Sequence, residues 1–170
     1  MRVGKIETDL SNCRLVLMMG LPYSGKTTEA HKLGLPVVNP DAIRVQHHGR
    51  RYWGPAEPAV WLKAREQVEA LFLGGHRTVV LDACSVTRRR RDEWRQRVAW
   101  SVEVLEVPTD PEECRRRILE AGDTEMIQHL ERMAENYEPP QADEVQYGPA
   151  TGVRRISSEV LEDMTTGRAS

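Results

Sequence analysis

The segment LVLMMGLPYSGKTTEA, Leu15 to Ala30, joins an apolar run to a loop of small residues closing on Gly25-Lys26-Thr27, and then to a helix-compatible tail. Gly20, Gly25, Lys26 and Thr27 stand at the places of the phosphate-holding pattern G-x-x-x-x-G-K-S/T. In such a loop successive backbone N–H groups converge on anionic oxygens where a helix begins. The lysine reaches the β and γ phosphates and the hydroxyl that follows it ligates Mg²⁺. Tyr23, Ser24 and Thr28 complete the stretch expected to line ATP. The bland alternative is a glycine turn between strand and helix. Average residue usage makes a chance match in a chain of this size roughly a one-in-a-hundred event, and a buried strand before with a helix after favours the phosphate loop.

Outward from that loop the chain alternates strands and helices. Arg14 to Met19 reads as a strand covered on both faces. A short helix from Lys26 to Leu33, a strand candidate Leu35 to Val38, and a helix from Pro58 to Phe72 with Val60, Ala64, Val68 and Phe72 every fourth residue follow. Thr78 to Ala83 is the next strand, Thr87 to Trp100 a helix, and Ser101 to Pro108 a fourth strand. Asp110, Pro111 and Glu113 form a capping-box-like start for a helix ending near Gly122, and Met126, Leu130, Met133 and Tyr137 mark one more. Such alternation implies right-handed crossovers onto a parallel sheet. The fold class is α/β: a P-loop NTPase, three-layer α/β/α with a central parallel sheet. Val153 to Ile156 is a candidate edge strand; residues 1–158 read as one domain and 159–170 as a flexible tail.

Composition narrows the setting. The 170 residues carry a net charge of −2, so nucleic-acid binding would need a local basic patch. Cys13, Cys84 and Cys114 are widely separated and in no metal-ligand spacing, as in a reduced, cytoplasmic protein. The longest apolar run, Leu15 to Met19, falls far short of the roughly 20 residues that span a bilayer, and Met1 to Leu10 lacks the core of a signal peptide. No membrane partner is expected.

Ligands of open α/β sheets sit beyond the carboxyl ends of the strands. There the chain places NPDAIR, Asn39 to Arg44, and LDACSVTRRRRDEW, Leu81 to Trp94. With these segments the chain resembles the polynucleotide-kinase-like group of P-loop kinases over roughly Leu15 to Glu144. Asn39, Asp41 and Arg44 match that family's N-x-D-x-x-R segment, Asp82 through Arg90 its later D-N/A-T/C segment with paired arginines, and ENYEPPQADE its closing segment. The resemblance implies ATP and Mg²⁺ as cofactors, Asp41 as general base, Arg44 as a holder of substrate phosphate, and a 5′-hydroxyl nucleic-acid end as acceptor. The family's lid has the form R-N-x-x-R. Arg117 matches its first arginine, but Ile118 and Ala121 replace the asparagine and second arginine, so Arg115 or Arg116 is left to supply that charge. Tyr23 stands where the family carries Gly or Ala.

Each candidate has a plainer reading. Asp41 could cap a helix starting at Ala42. Asp82 could simply end a strand, though a carboxylate there suits a Mg²⁺ site shared with Thr27. Arg88 to Arg91 could be a solvated face, yet four arginines at a helix start oppose the macrodipole by about 0.3 kcal/mol each or more, and an anionic partner would offset that. Trp53, Trp61, Trp94 and Trp100 could stack on bases, though Trp61 and Trp94 lie at helical spacing with other apolar residues and read as core; His47-His48 lacks a third ligand and reads as loop. The reading is a phosphotransferase with Lys26, Asp41, Arg44 and Arg117 catalytic and Asp41, Arg44, Asp82 and Arg88 on the acceptor. A small-metabolite kinase on the same scaffold, and a nucleotide-dependent switch without transfer activity, are the alternatives.

Overall fold

Arg14–Met19 forms the central strand β1 in a computed structural model that describes residues 9–148. β2 (Val37–Val38), β3 (Thr78–Leu81) and β4 (Ser101–Glu106) complete a parallel sheet of order β2-β3-β1-β4. Leu15 lies opposite Val79 on one side and Val102 on the other. The helices are α1 (Lys26–Lys32), α2 (Pro40–His48), α3 (Glu57–Leu73), α4 (Arg88–Arg95), α5 (Pro111–Glu120) and α6 (Met126–Glu135). The edge strand expected at 153–156 and the tail at 159–170 lie outside the described residues.

Alternation along β1 builds the layers, because successive side chains of a strand point to opposite faces. Leu15 and Leu17 enter one core with Ile43 of α2, Val60, Ala64, Val68 and Phe72 of α3, and Trp94 of α4. Val16 and Met18 enter the other with Ala30 of α1 and Val80. All four β1 side chains are fully buried, each contributing about 1.5–3 kcal/mol relative to exposure. This is the three-layer P-loop NTPase arrangement. A third cluster joins Cys114 and Ile118 of α5 and Leu130 of α6 to Leu21 of the phosphate loop and Val86. The α5–α6 pair is thereby seated over the loop.

Several local expectations are corrected. The cap of α2 is Asn39, not Asp41: its side chain accepts from the amides of Asp41 at 2.8 Å and Ala42 at 3.2 Å, with Pro40 in the first turn. That helix extends through His47 and His48 rather than leaving them in a loop. Helix α4 stops at Arg95 rather than Trp100; Arg97 adopts φ 55°, and Trp100 packs on Phe72 with ring centroids 5.3 Å apart. At α5 the Asp110 carboxylate accepts from Glu112 N at 2.8 Å, but Glu113 turns outward to Arg116 and Arg117 instead of closing a capping box. Among the described residues no helix is long and apolar enough to cross a membrane.

Candidate active site

One carboxylate oxygen draws three strand ends together. Asp82 follows β3 directly, its amide bonded to Val38 O at 2.9 Å, and its side chain is almost fully buried. Its Oδ2 accepts from Thr27 Oγ1 at 2.7 Å and from Asn39 Nδ2 at 3.1 Å. The two residues expected to hold Mg²⁺ are thus in direct contact, and Asn39 has two tasks, capping α2 and steadying Asp82. The Asn-Pro pair is a helix-start signal that marks the capping task; the contact with Asp82, 43 residues away, has no local signal.

The loop before Thr27 is shaped to surround a small anion. A Cβ on Gly20 would sit 2.7 Å from Ser24 Oγ and 2.8 Å from Val107 O, so only glycine fits, and Gly25 turns the chain with φ 99°. Lys26, buried, reaches back to donate to Leu21 O at 2.6 Å. Ser24 Oγ is buried inside the loop with no hydrogen-bond partner among the described residues, at a cost of roughly 1–3 kcal/mol. An orphan hydroxyl beside a glycine cradle and a lysine fits phosphate oxygens, and Thr27 with Asp82 fits a Mg²⁺ ion that keeps waters and phosphates as its remaining ligands.

Tyr23 closes one side of the mouth. Its φ of 61° is left-handed, a conformation costing a bulky residue roughly 1–2 kcal/mol. The hydroxyl donates to Asp123 Oδ2 at 2.8 Å, and Arg117 Nη1 donates to Tyr23 O at 3.1 Å. Asp123, in the turn between α5 and α6, also takes both guanidinium nitrogens of Arg51 at 2.6 Å. Hydrogen bonding from Arg51 holds the Asp123 carboxyl below its ordinary range, and the bond to Asp123 raises the Tyr23 phenol. Arg51 and Asp123 were not singled out from the sequence; they are 72 residues apart. All three arginines of α5 carry carboxylate partners, Arg115 with Glu131, Arg116 with Glu113 and Glu120, and Arg117 with Glu113 at 2.8 Å; only Arg117 also reaches the phosphate loop, through its Nη1 bond to Tyr23 O.

Asp41 and Arg44 lie one turn apart on α2. The Asp41 side chain is 80% exposed, with Oδ1 accepting from Arg44 Nη1 at 2.6 Å and no bond to Oδ2 among the described residues. Arg44 is only 11% exposed; its Nε and Nη2 grip Glu57 at 2.7 Å each. Burial opposes the Glu57 charge, but the bonds from Arg44 outweigh it and lower its carboxyl. Arg44 therefore faces carboxylates and fixes the direction of Asp41.

The arginine run has an internal anionic partner. Arg88 binds Asp92 and, at 2.7 Å through two nitrogens, Asp143; its amide donates to Glu138. Arg91 is fully buried against Glu144 at 2.6 and 3.0 Å. These ties pin residues 138–147 beside β4, where Val104 N donates to Val145 O at 2.8 Å. Neither the solvated-face nor the ligand-gripping reading describes Arg88 and Arg91; they anchor the closing segment.

The sequence pattern of a family described as AAA domain matches residues 15–140. The chain belongs to that family. The P-loop kinase-like class expected from the sequence is borne out, and the phosphate loop, α2 and the Asp82 strand end all fall within the match. Among solved structures, one titled as a Pnkp1/Rnl/Hen1 complex aligns at 22% identity over 62% of this chain and 38% of that one, TM-score 0.57. A second, titled as the Pnkp1/Rnl/Hen1 RNA repair complex, aligns at 17% identity over 87% and 55%, TM-score 0.57. The chain thus spans about 38% and 55% of those two proteins. An unliganded sugar kinase from Janibacter sp. HTCC2649 aligns at 23% identity over 79% and 83%, TM-score 0.58. These likenesses concern the fold. No curated protein matches the chain significantly.

Proposed function

We propose that the AAA-family chain is an ATP-dependent kinase that transfers the γ-phosphoryl group to a hydroxyl, and that the acceptor is the 5′-hydroxyl of a polynucleotide. The observation that carries the kinase reading is the Asp82 junction, which sets Thr27, Asn39 and the start of α2 around one buried oxygen, with Asp41 open to solvent two residues beyond Asn39. The acceptor oxygen forms a bond to the γ phosphorus as the bond to the β-bridging oxygen breaks and ADP departs; the hydroxyl proton goes to the free oxygen of Asp41. Arg44 aims that carboxylate, Lys26 and Arg117 neutralise the phosphoryl oxygens, and Ser24 donates into the loop. Mg²⁺, held by Thr27 with Asp82 behind it, supplies further charge neutralisation when bound.

Structural neighbours titled as an RNA repair complex and as a sugar kinase are compatible with a phosphotransferase and do not choose the acceptor. A second reading, a small-metabolite kinase, is favoured by Arg44, which is closed off between Asp41 and Glu57 and is not free for a nucleic-acid phosphate. Labelled ATP offered with 5′-hydroxyl oligonucleotides and with a panel of sugars and sugar acids tests both. Label on the oligonucleotide is expected; label only on small acceptors would transfer the conclusion to the second reading, and label on none would end the kinase reading.

A further inference from the structure

From the loop between α2 and α3 we infer a docking platform for single-stranded nucleic acid, with bases stacked on Tyr52 and Trp53 and backbone phosphate drawn to Arg50. The inference rests on the kinase reading for its place beside the reacting centre, and it concerns residues that reading does not use. Between Ala42 and Ala56 the chain carries three arginines and two histidines; Arg44 is paired with Asp41 and Glu57 and Arg51 with Asp123, which leaves Arg50 as the arginine of this stretch without a carboxylate partner among the described residues. Tyr52 is 60% and Trp53 46% exposed, among the largest apolar side chains left outside the three cores. Aromatic rings interleaved with cations are the surface that sequence-tolerant binding of single strands uses, since every base has a stacking face.

The platform is held in place before any ligand arrives. Gly49 N donates to Val45 O at 3.0 Å and Ala56 N to Trp53 O at 2.9 Å, closing the loop at both ends. Arg51 is clamped on Asp123, and Tyr52 leans toward His129 of α6 at 6.4 Å between ring centroids. The Arg51–Asp123–Tyr23 chain of contacts fixes the loop beside the mouth of the phosphate site. Arg50 lies 5.5 Å over the Trp53 ring and has no carboxylate partner among the described residues, unlike Arg88 and Arg91. A charge left unpaired on a preorganised loop is available to a phosphate at little ordering cost.

Fluorescence anisotropy of labelled 5′-hydroxyl single strands of about twelve nucleotides, within the span such surfaces cover, tests the inference without turnover. DNA and RNA of one sequence are titrated in separate arms over a salt series. Wild type is expected to bind; Tyr52→Ala with Trp53→Ala should weaken binding at least about tenfold, and Arg50→Ala should flatten the log affinity against log salt slope by about 0.7. ATP affinity, measured alongside, should be unchanged, showing that the variants fold. No binding by wild type, or variants with wild-type affinity and slope, would overturn the inference. Its failure is separable from that of the kinase reading: transfer to a small hydroxyl without strand binding defeats only the platform, and strand binding without transfer defeats only the kinase.

Discussion

Thr27 donates its hydroxyl to Asp82 Oδ2 at 2.7 Å across 55 positions of sequence, and Asn39 shares the same oxygen. Strand ends from β1, β2 and β3 are registered on one buried carboxylate. Asp82→Asn keeps the size but replaces one acceptor oxygen by a donor and removes the charge. The expectation is a higher Mg²⁺ requirement and transfer reduced by about 10²-fold or more. A Mg²⁺ titration of the rate measures both; a wild-type curve would remove Asp82 from the metal site.

Lys26→Ala should abolish detectable transfer, a loss of at least about 10²-fold, because it deletes the cation aimed into the loop. Steady-state kinetics with saturating ATP checks this. Unchanged turnover would defeat the phosphate-loop reading.

Asp41 and Asn39 should part in their effects. Asp41→Asn is exposed and caps nothing, so its melting temperature should stay close to wild type while kcat falls by about 10² to 10⁴. Asn39→Ala removes the cap and should cost about 1 kcal/mol or more. Paired melting curves and kcat values settle the assignment; an active Asp41→Asn protein would place the base elsewhere.

Arg91 and Glu144 form a fully buried pair 53 residues apart. Arg91→Ala leaves a charge without its partner and should destabilise by about 3–5 kcal/mol, a fall in Tm of roughly 6–20 °C for a chain of this size. Replacing both, as R91M with E144L, should recover much of that loss. Differential scanning calorimetry of the three proteins is the measurement.

Acid should loosen the arginine–carboxylate ties of α5, of the α5–α6 turn and of the closing segment. Hydrogen bonds from Arg116, then Arg117, hold the Glu113 carboxyl down to about 2; Arg51 lowers Asp123 and Arg88 lowers Asp143. A carboxyl depressed in the folded state contributes stability that is complete above its unfolded range, near 4 to 4.5, and fades as pH falls toward 2. Tm should therefore be flat with respect to these groups above about pH 5 and drop below it, and Glu113→Gln should show a shallower drop. A profile without that difference would mean the Glu113 pairing is equally populated in the unfolded chain.

By itself the sequence determined the phosphate loop, the order of strands and of every helix but α2, and the two-faced burial of β1, because each rests on local pattern: G-x-x-x-x-G-K-T, a strand's alternation, and the four-residue spacing from Val60 to Phe72. It also brought Thr27, Asp41 and Asp82 to one sheet edge through the rule for strand ends. Tertiary structure alone decided which charges are spent. Arg88 and Arg91 read as a ligand-seeking run until Asp143 and Glu144 are folded onto them, and Arg44 reads as free until Glu57 closes over it. Likewise Arg51 and Asp123 acquire meaning only when α5 and α6 settle over the loop and carry Asp123 to Tyr23. A charged side chain's role depends on which opposite charge lies within about 3 Å in space, and partners 13 to 100 positions apart carry no local signal of that proximity.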